Sequence, residues 1–105
     1  MPLEYRGSFY ESDIYEGEIQ GLYVQAQVFS EPSGYGINEG RISRLTVYPD
    51  RQKEFRKNLA NYDRGWDGKP PEDSDIRAVI EAVVRQFDKR AVDWRFEASN
   101  WLGGE

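Results

Sequence analysis

Between Ile76 and Phe87 the apolar residues recur on one side of a helix. Ile76, Val79, Ile80, Val83, Val84 and Phe87 fall at i, i+3, i+4, i+7, i+8 and i+11, a single continuous stripe. Ser74 or Asp73 can cap the start of this helix, and Glu72, Asp73 and Asp75 bring negative charge to its positive end. Lys89 and Arg90 stand near the other end, where cations are favoured. Burying each apolar side chain of the stripe is worth about 1.5–3 kcal/mol, so the helix must dock on a second apolar surface.

That surface is offered by strands in the first half of the chain. In residues 22–30 (LYVQAQVFS), Leu22, Val24, Ala26 and Val28 alternate with Tyr23, Gln25, Gln27 and Phe29, the period of a strand with one wet face. Residues 4–10 (EYRGSFY) read as a strand with Tyr5, Gly7 and Phe9 on one face. Residues 15–20 (YEGEIQ) are polar and broken by glycine, which suits a hairpin region or a sheet edge. Residues 31–40 (EPSGYGINEG) form a loop rich in turn residues, and residues 41–48 (RISRLTVY) resume as a strand that Pro49 ends. Residues 55–62 (FRKNLANY) read as the returning strand of a hairpin. The expected fold is α+β: a mostly antiparallel sheet of four to six strands with one amphipathic helix of about fifteen residues on one face.

The 105 residues suit one domain, with a core over 16–90 and an aromatic tail over 91–105. In the tail, Val92, Trp94, Phe96 and Ala98 alternate with polar residues, and Trp101 and Leu102 follow. This is strand periodicity, and the tail is expected to add a strand to its own sheet or to a second copy. Trp94, Phe96, Trp101 and Leu102 are therefore candidate interface residues, with a homodimer slightly favoured. No apolar run approaches the ~20 residues that span a bilayer, so no membrane partner and a cytoplasmic location are expected.

Composition narrows the chemistry more than it defines it. The chain holds no cysteine and no histidine. A thiolate nucleophile, a cysteine zinc site and the commonest general base are all missing, and no metal or cofactor is expected. Residues 1–40 carry one cation, Arg6, against seven acids, while residues 41–57 carry six cations against two acids. The overall charge is −5, which disfavours nucleic acid as a partner.

Two segments carry more detail than a connection needs: residues 33–43 (SGYGINEGRIS) and residues 61–68 (NYDRGWDG). Turns routinely use these residue types, and a structural role is the preferred reading. On that reading Asp63 accepts backbone hydrogen bonds, Trp66 covers the helix end, and Asp67 pairs with Arg41 or Arg64. The alternative is a shallow binding site of Arg41, Asp63, Arg64 and Asp67 walled by Tyr35, Tyr62 and Trp66. The paired strings SxYGIxxGRIS and NYDRGWD resemble an uncharacterised family of small phage and bacterial proteins, a domain of unknown function. The resemblance runs from about Glu16 to the helix. It implies a similar fold and a phage or prophage setting, and it implies no activity.

The leading expectation is a non-enzymatic binding or accessory protein that works through a protein interface. A second is a small enzyme using the carboxylates of Asp63 and Asp67 for acid–base work. A third is an acidic inhibitor that mimics nucleic acid, motivated by the acidic first forty residues.

Overall fold

The computed structural model describes the backbone of residues 3–103 and the side chains of residues 3–99. Five strands form one antiparallel sheet in chain order: β1 (Glu4–Phe9), β2 (Ser12–Ile19), β3 (Leu22–Phe29), β4 (Ile42–Tyr48) and β5 (Ala60–Asp63). Two helices follow, α1 (Ser74–Asp88) and α2 (Trp94–Gly103). The result is an α+β fold, and α1 has the fifteen residues its apolar period demands.

Tight turns make neighbours in sequence into neighbours in the sheet. At the β2–β3 turn Gln20 and Gly21 both have positive φ, 51° and 85°, the combination that a two-residue hairpin requires. Glu16 pairs with Gln25 across it and Ala26 pairs in turn with Leu45, so β2, β3 and β4 share one register of faces. One face presents Val24, Ala26, Val28, Ile42, Leu45 and Val47, all buried. Onto it α1 places Val79, Ile80, Val83 and Val84, each without exposed surface, while Ile76 and Phe87 are half-buried at the two ends of the stripe. Asp73 caps α1, its carboxylate accepting from the backbone N–H groups of Asp75 and Ile76 at 2.9 and 3.0 Å.

Two bulges change the faces that strict alternation would give. On β4, Gln27 of β3 opposes Arg44 while Val28 opposes Ile42, which leaves Ser43 as the extra residue. Ile42 and Leu45, three apart, thereby both face α1. On β1, Tyr5 opposes Tyr15 but Gly7 opposes Ile14, so Arg6 is the extra residue. Tyr5 therefore lies on the helix side near Tyr15, whereas Phe9 opposes Ser12 on the open side. The expected common face of Tyr5, Gly7 and Phe9 is corrected by that bulge.

Other expectations are also corrected. Residues 15–20 do lie in a hairpin, as an arm of the β2–β3 pair. β2 is nonetheless an interior strand of eight residues and not an edge, because its polar side chains find hydrogen-bond partners on the open face. Residues 55–62 divide into a short helical turn, Phe55–Lys57, and the four-residue β5, leaving Phe55 and Leu59 exposed. The aromatic tail forms α2, a helix and not an added strand. Asp93 starts it by accepting from the N–H of Phe96 at 3.0 Å. Helical spacing then turns Trp94 and Glu97 toward the body of the domain, an arrangement a strand cannot make.

Candidate functional site

At one end of the open sheet face the register aligns Phe9, Ser12 and Phe29 in a single row across β1, β2 and β3. Phe9 is 55% exposed and Tyr10 in the adjoining turn is 90% exposed, with their rings 4.7 Å apart. Beside this row lies a cavity of about 330 Å³ walled by Phe29, Pro32 and Tyr35. Tyr35 is 64% exposed. Ser43, the bulged residue of β4, lines the same cavity, as do Arg64, Glu11 and Glu31.

The loop that carries Tyr35 is held from several sides. The N–H of Gly36 donates to the carbonyl of Ser33 at 3.1 Å, and the N–H of Ser33 donates to the carbonyl of Gly40 at 3.1 Å. A Cβ on Gly36 would collide with the backbone of Gly40, so this close approach requires glycine. The fold-over buries Ile37 completely. Arg41 then bridges two elements: its Nε donates to the carbonyl of Phe29 at 2.8 Å and its Nη1 to that of Phe87 at 2.9 Å. Phe87 lies in the last turn of α1, where carbonyls lack helical partners. Arg41 thus fixes the β3 end of the cavity to α1.

Below the loop, Tyr62 and Trp66 meet edge to face at 5.0 Å, and the Tyr62 hydroxyl donates to the carbonyl of Tyr35 at 2.9 Å. Glu97 of α2 closes this cluster. It is only 3% exposed, and its two oxygens accept from Trp66 Nε1 at 2.8 Å and from the backbone N–H of Asn38 at 2.9 Å. Burial pushes the Glu97 carboxyl above its ordinary range, outweighing the Trp66 and Asn38 hydrogen bonds, and the nearby charges of Asp93 and Glu39 add to the rise. Burial and the charge of Glu97 likewise push the Tyr62 hydroxyl up.

A second buried carboxylate lies farther along the open face. Glu16 accepts from the Tyr23 hydroxyl at 2.7 Å, from Gln25 at 2.6 Å and from Lys53 at 3.3 Å. Burial alone would raise it, yet those three donors together hold it below the ordinary carboxylate range. The two carboxylates therefore act on stability with opposite sign. Glu97 binds its proton more tightly in the folded chain, so its contribution is full in acid and is lost as pH rises through its raised value. Glu16 contributes fully above the ordinary carboxylate range and loses that contribution as pH falls through its depressed value. Thermal melts from about pH 3 to about pH 8 are expected to separate them. Glu97→Gln should remove a loss of stability on going from acid to neutral, and Glu16→Gln should remove a loss on the acid side.

The residues singled out in the sequence thus divide into groups. Tyr35 and Arg64 line the cavity, while Tyr62 and Trp66 pack beneath it and Arg41 ties its rim to α1. Asp63 forms exposed ion pairs with Arg44 at 3.7 Å and Arg64 at 3.6 Å. The expected pairing of Asp67 with Arg41 or Arg64 is not made, since Arg41 is occupied by carbonyls and Arg64 by Asp63. Asp67 is exposed, and its backbone N–H donates to the carbonyl of Asn61 at 3.0 Å. Trp66 sits against Tyr62 and Trp94. Asp63 and Asp67 do not line the cavity beside Phe29. In the tail, Trp94 is half-buried near Trp66 with the Arg77 guanidinium 4.7 Å over its ring, and Phe96 is half-buried. The side chains of Trp101 and Leu102 lie outside the described residues. Among the described residues no cluster of three metal-ligating side chains is present.

Sequence reasoning missed Phe29 and Ser43 as cavity residues, and Glu97 as the partner of Trp66. A β-bulge brings Ser43 there and a helical tail brings Glu97.

A family profile described as a domain of unknown function (DUF7678) matches residues 13–88. The chain belongs to this family. No curated protein and no solved structure matches it. The DUF7678 match runs from β2 to the last residue of α1 and includes both motif segments, 33–43 and 61–68. Both β1 and α2 lie beyond the DUF7678 match, so Glu97 clasps the family region from outside it. No helix among the described residues is long and apolar enough to cross a membrane.

Proposed function

We propose that this DUF7678 chain is a non-enzymatic binding protein that engages another protein through the aromatic end of its open sheet face. One observation carries this reading: Tyr35 is largely exposed at the 330 Å³ cavity walled by Phe29 and Pro32, and Phe9, in the same cross-strand row as Phe29, is exposed together with Tyr10. Large exposed aromatics gathered at a concave site mark interaction surfaces, where rigid rings give contact area at low entropic cost. The motif resemblance supports a phage or mobile-element setting, and the lack of a membrane-spanning helix among the described residues accords with work in the cytoplasm.

The carboxylate-enzyme reading is weaker, because Asp63 and Asp67 are exposed and apart from the cavity. Self-association by strand pairing through the tail is disfavoured, since residues 94–103 form the helix α2.

Tyr35→Ala tests the proposal with little risk to folding, since the ring is mostly in solvent and Tyr62 bonds only the backbone of this residue. Immobilised wild-type chain is expected to retain a discrete protein from host extract about tenfold better than the variant. That protein, once purified, should rebind with the same difference. Equal retention by both chains at matched melting temperature would refute it. Sedimentation of the same pair would reveal a second copy as the partner, if a wild-type dimer dissociates in Tyr35→Ala.

A further inference from the structure

Which partner chemistry the cavity suits is written in its rim. Its walls are the rings of Phe29 and Tyr35 with Pro32. Of the three charged residues that line it, Arg64 is already engaged, its Nε 3.6 Å from the carboxylate of Asp63. Glu11 and Glu31 form no ion pair among the described residues and are both exposed. Two uncompensated carboxylates thus border an aromatic hollow. Ser43, 6% exposed as a residue, lines the same hollow.

We propose that the cavity receives an arginine side chain from a segment of a partner protein. A guanidinium matches each feature: its flat face stacks on the Tyr35 and Phe29 rings, and its N–H groups reach carboxylates at the rim. The Ser43 hydroxyl on the cavity lining can accept from one of those donors. Lysine fits less well, because an ammonium is a compact, strongly hydrated charge without a face to stack. The acidic first forty residues, with one cation against seven acids, favour the approach of a basic partner over long range. The inference rests on the binding reading above and adds the chemistry of the bound residue.

The test titrates the full chain, followed residue by residue in amide NMR spectra, with a capped Gly-Arg-Gly-Arg-Gly peptide. The same peptide with citrulline in place of arginine is neutral, nearly isosteric and serves as the comparison. Arginine peptide is expected to shift the amides of Glu11, Phe29, Tyr35, Ser43 and Arg64, and to bind about tenfold tighter than the citrulline peptide. Glu11→Gln with Glu31→Gln, both on exposed side chains, should erase that difference and flatten the dependence on salt. Equal binding of the two peptides would overturn the arginine assignment and leave the cavity a binding site for neutral groups. Shifts elsewhere on the surface, or none with either peptide at millimolar concentration, would overturn the assignment too, and the second result would also count against the binding reading.

Discussion

Ile80→Ala is expected to lower the stability of the domain by about 2–5 kcal/mol, seen as a fall in the urea midpoint at unchanged slope. Ile80 has no exposed surface and belongs to the central run of the α1 stripe, with Val79, Val83 and Val84. Truncation removes three carbon atoms from the joint between α1 and the sheet. The cost has two parts: the lost transfer energy and the cavity left where neighbours cannot close in. The sheet cannot move in to fill that space, since Val24, Leu45 and Val47 are fixed by their ladders on both sides. Ile76→Ala gives the internal comparison. Ile76 is half-buried at the first turn of α1, so the same chemical change there should cost markedly less. Equal effects at the two positions would mean that α1 is not seated as described.

Trp66→Ala has the next largest expected effect, about 2–4 kcal/mol, below the usual range for a fully buried tryptophan because Trp66 is half-buried. Its ring packs between Tyr62 and Trp94, with centroids at 5.0 and 6.1 Å, and its Nε1 donates to Glu97 at 2.8 Å. Loss of the ring opens the cluster, and loss of the donor leaves a carboxylate that is 3% exposed with a single remaining hydrogen bond, from Asn38. Trp66→Phe separates the two effects. Phenylalanine keeps much of the packing and lacks the N–H, so it should cost about 1–3 kcal/mol. It should also raise the Glu97 carboxyl further, since a hydrogen bond that favours the charged form has gone. Urea melts give the stabilities, and carboxyl NMR titration gives the direction at Glu97. A Trp66→Ala chain with wild-type stability would show that Trp66 does not hold α2 to the domain.

Part of this architecture was legible from residue order because it rests on local repetition. The 3.6-residue period of Ile76 to Phe87 requires a helix with one buried side, and the period of two in residues 22–29 requires a strand. Membership of an uncharacterised domain family was expected too, and the family match spans residues 13–88. β2 was harder to read, since its polar residues hide an interior strand. Its acceptability depends on Tyr23, Gln25 and Lys53, which lie next to Glu16 only after the sheet forms. The tail was misleading for a similar reason. Alternation over Val92 to Ser99 is the same string whether the backbone extends or coils, and its helix is chosen by what Trp94 and Glu97 meet in space.

Residue order and composition were enough for the docking helix, the strand of residues 22–29, the lack of cysteine and histidine, and the acidic balance of the first forty residues. Each depends only on composition or on neighbours a few residues apart. Which residues share a site depends on the assembled fold. The bulge at Ser43 exchanges the faces of β4, the fold-over between Gly36 and Gly40 places Tyr35 above Tyr62, and Glu97 reaches Trp66 across thirty-one residues. Such contacts join distant parts of the chain, and their energies exist only once the sheet and both helices are assembled.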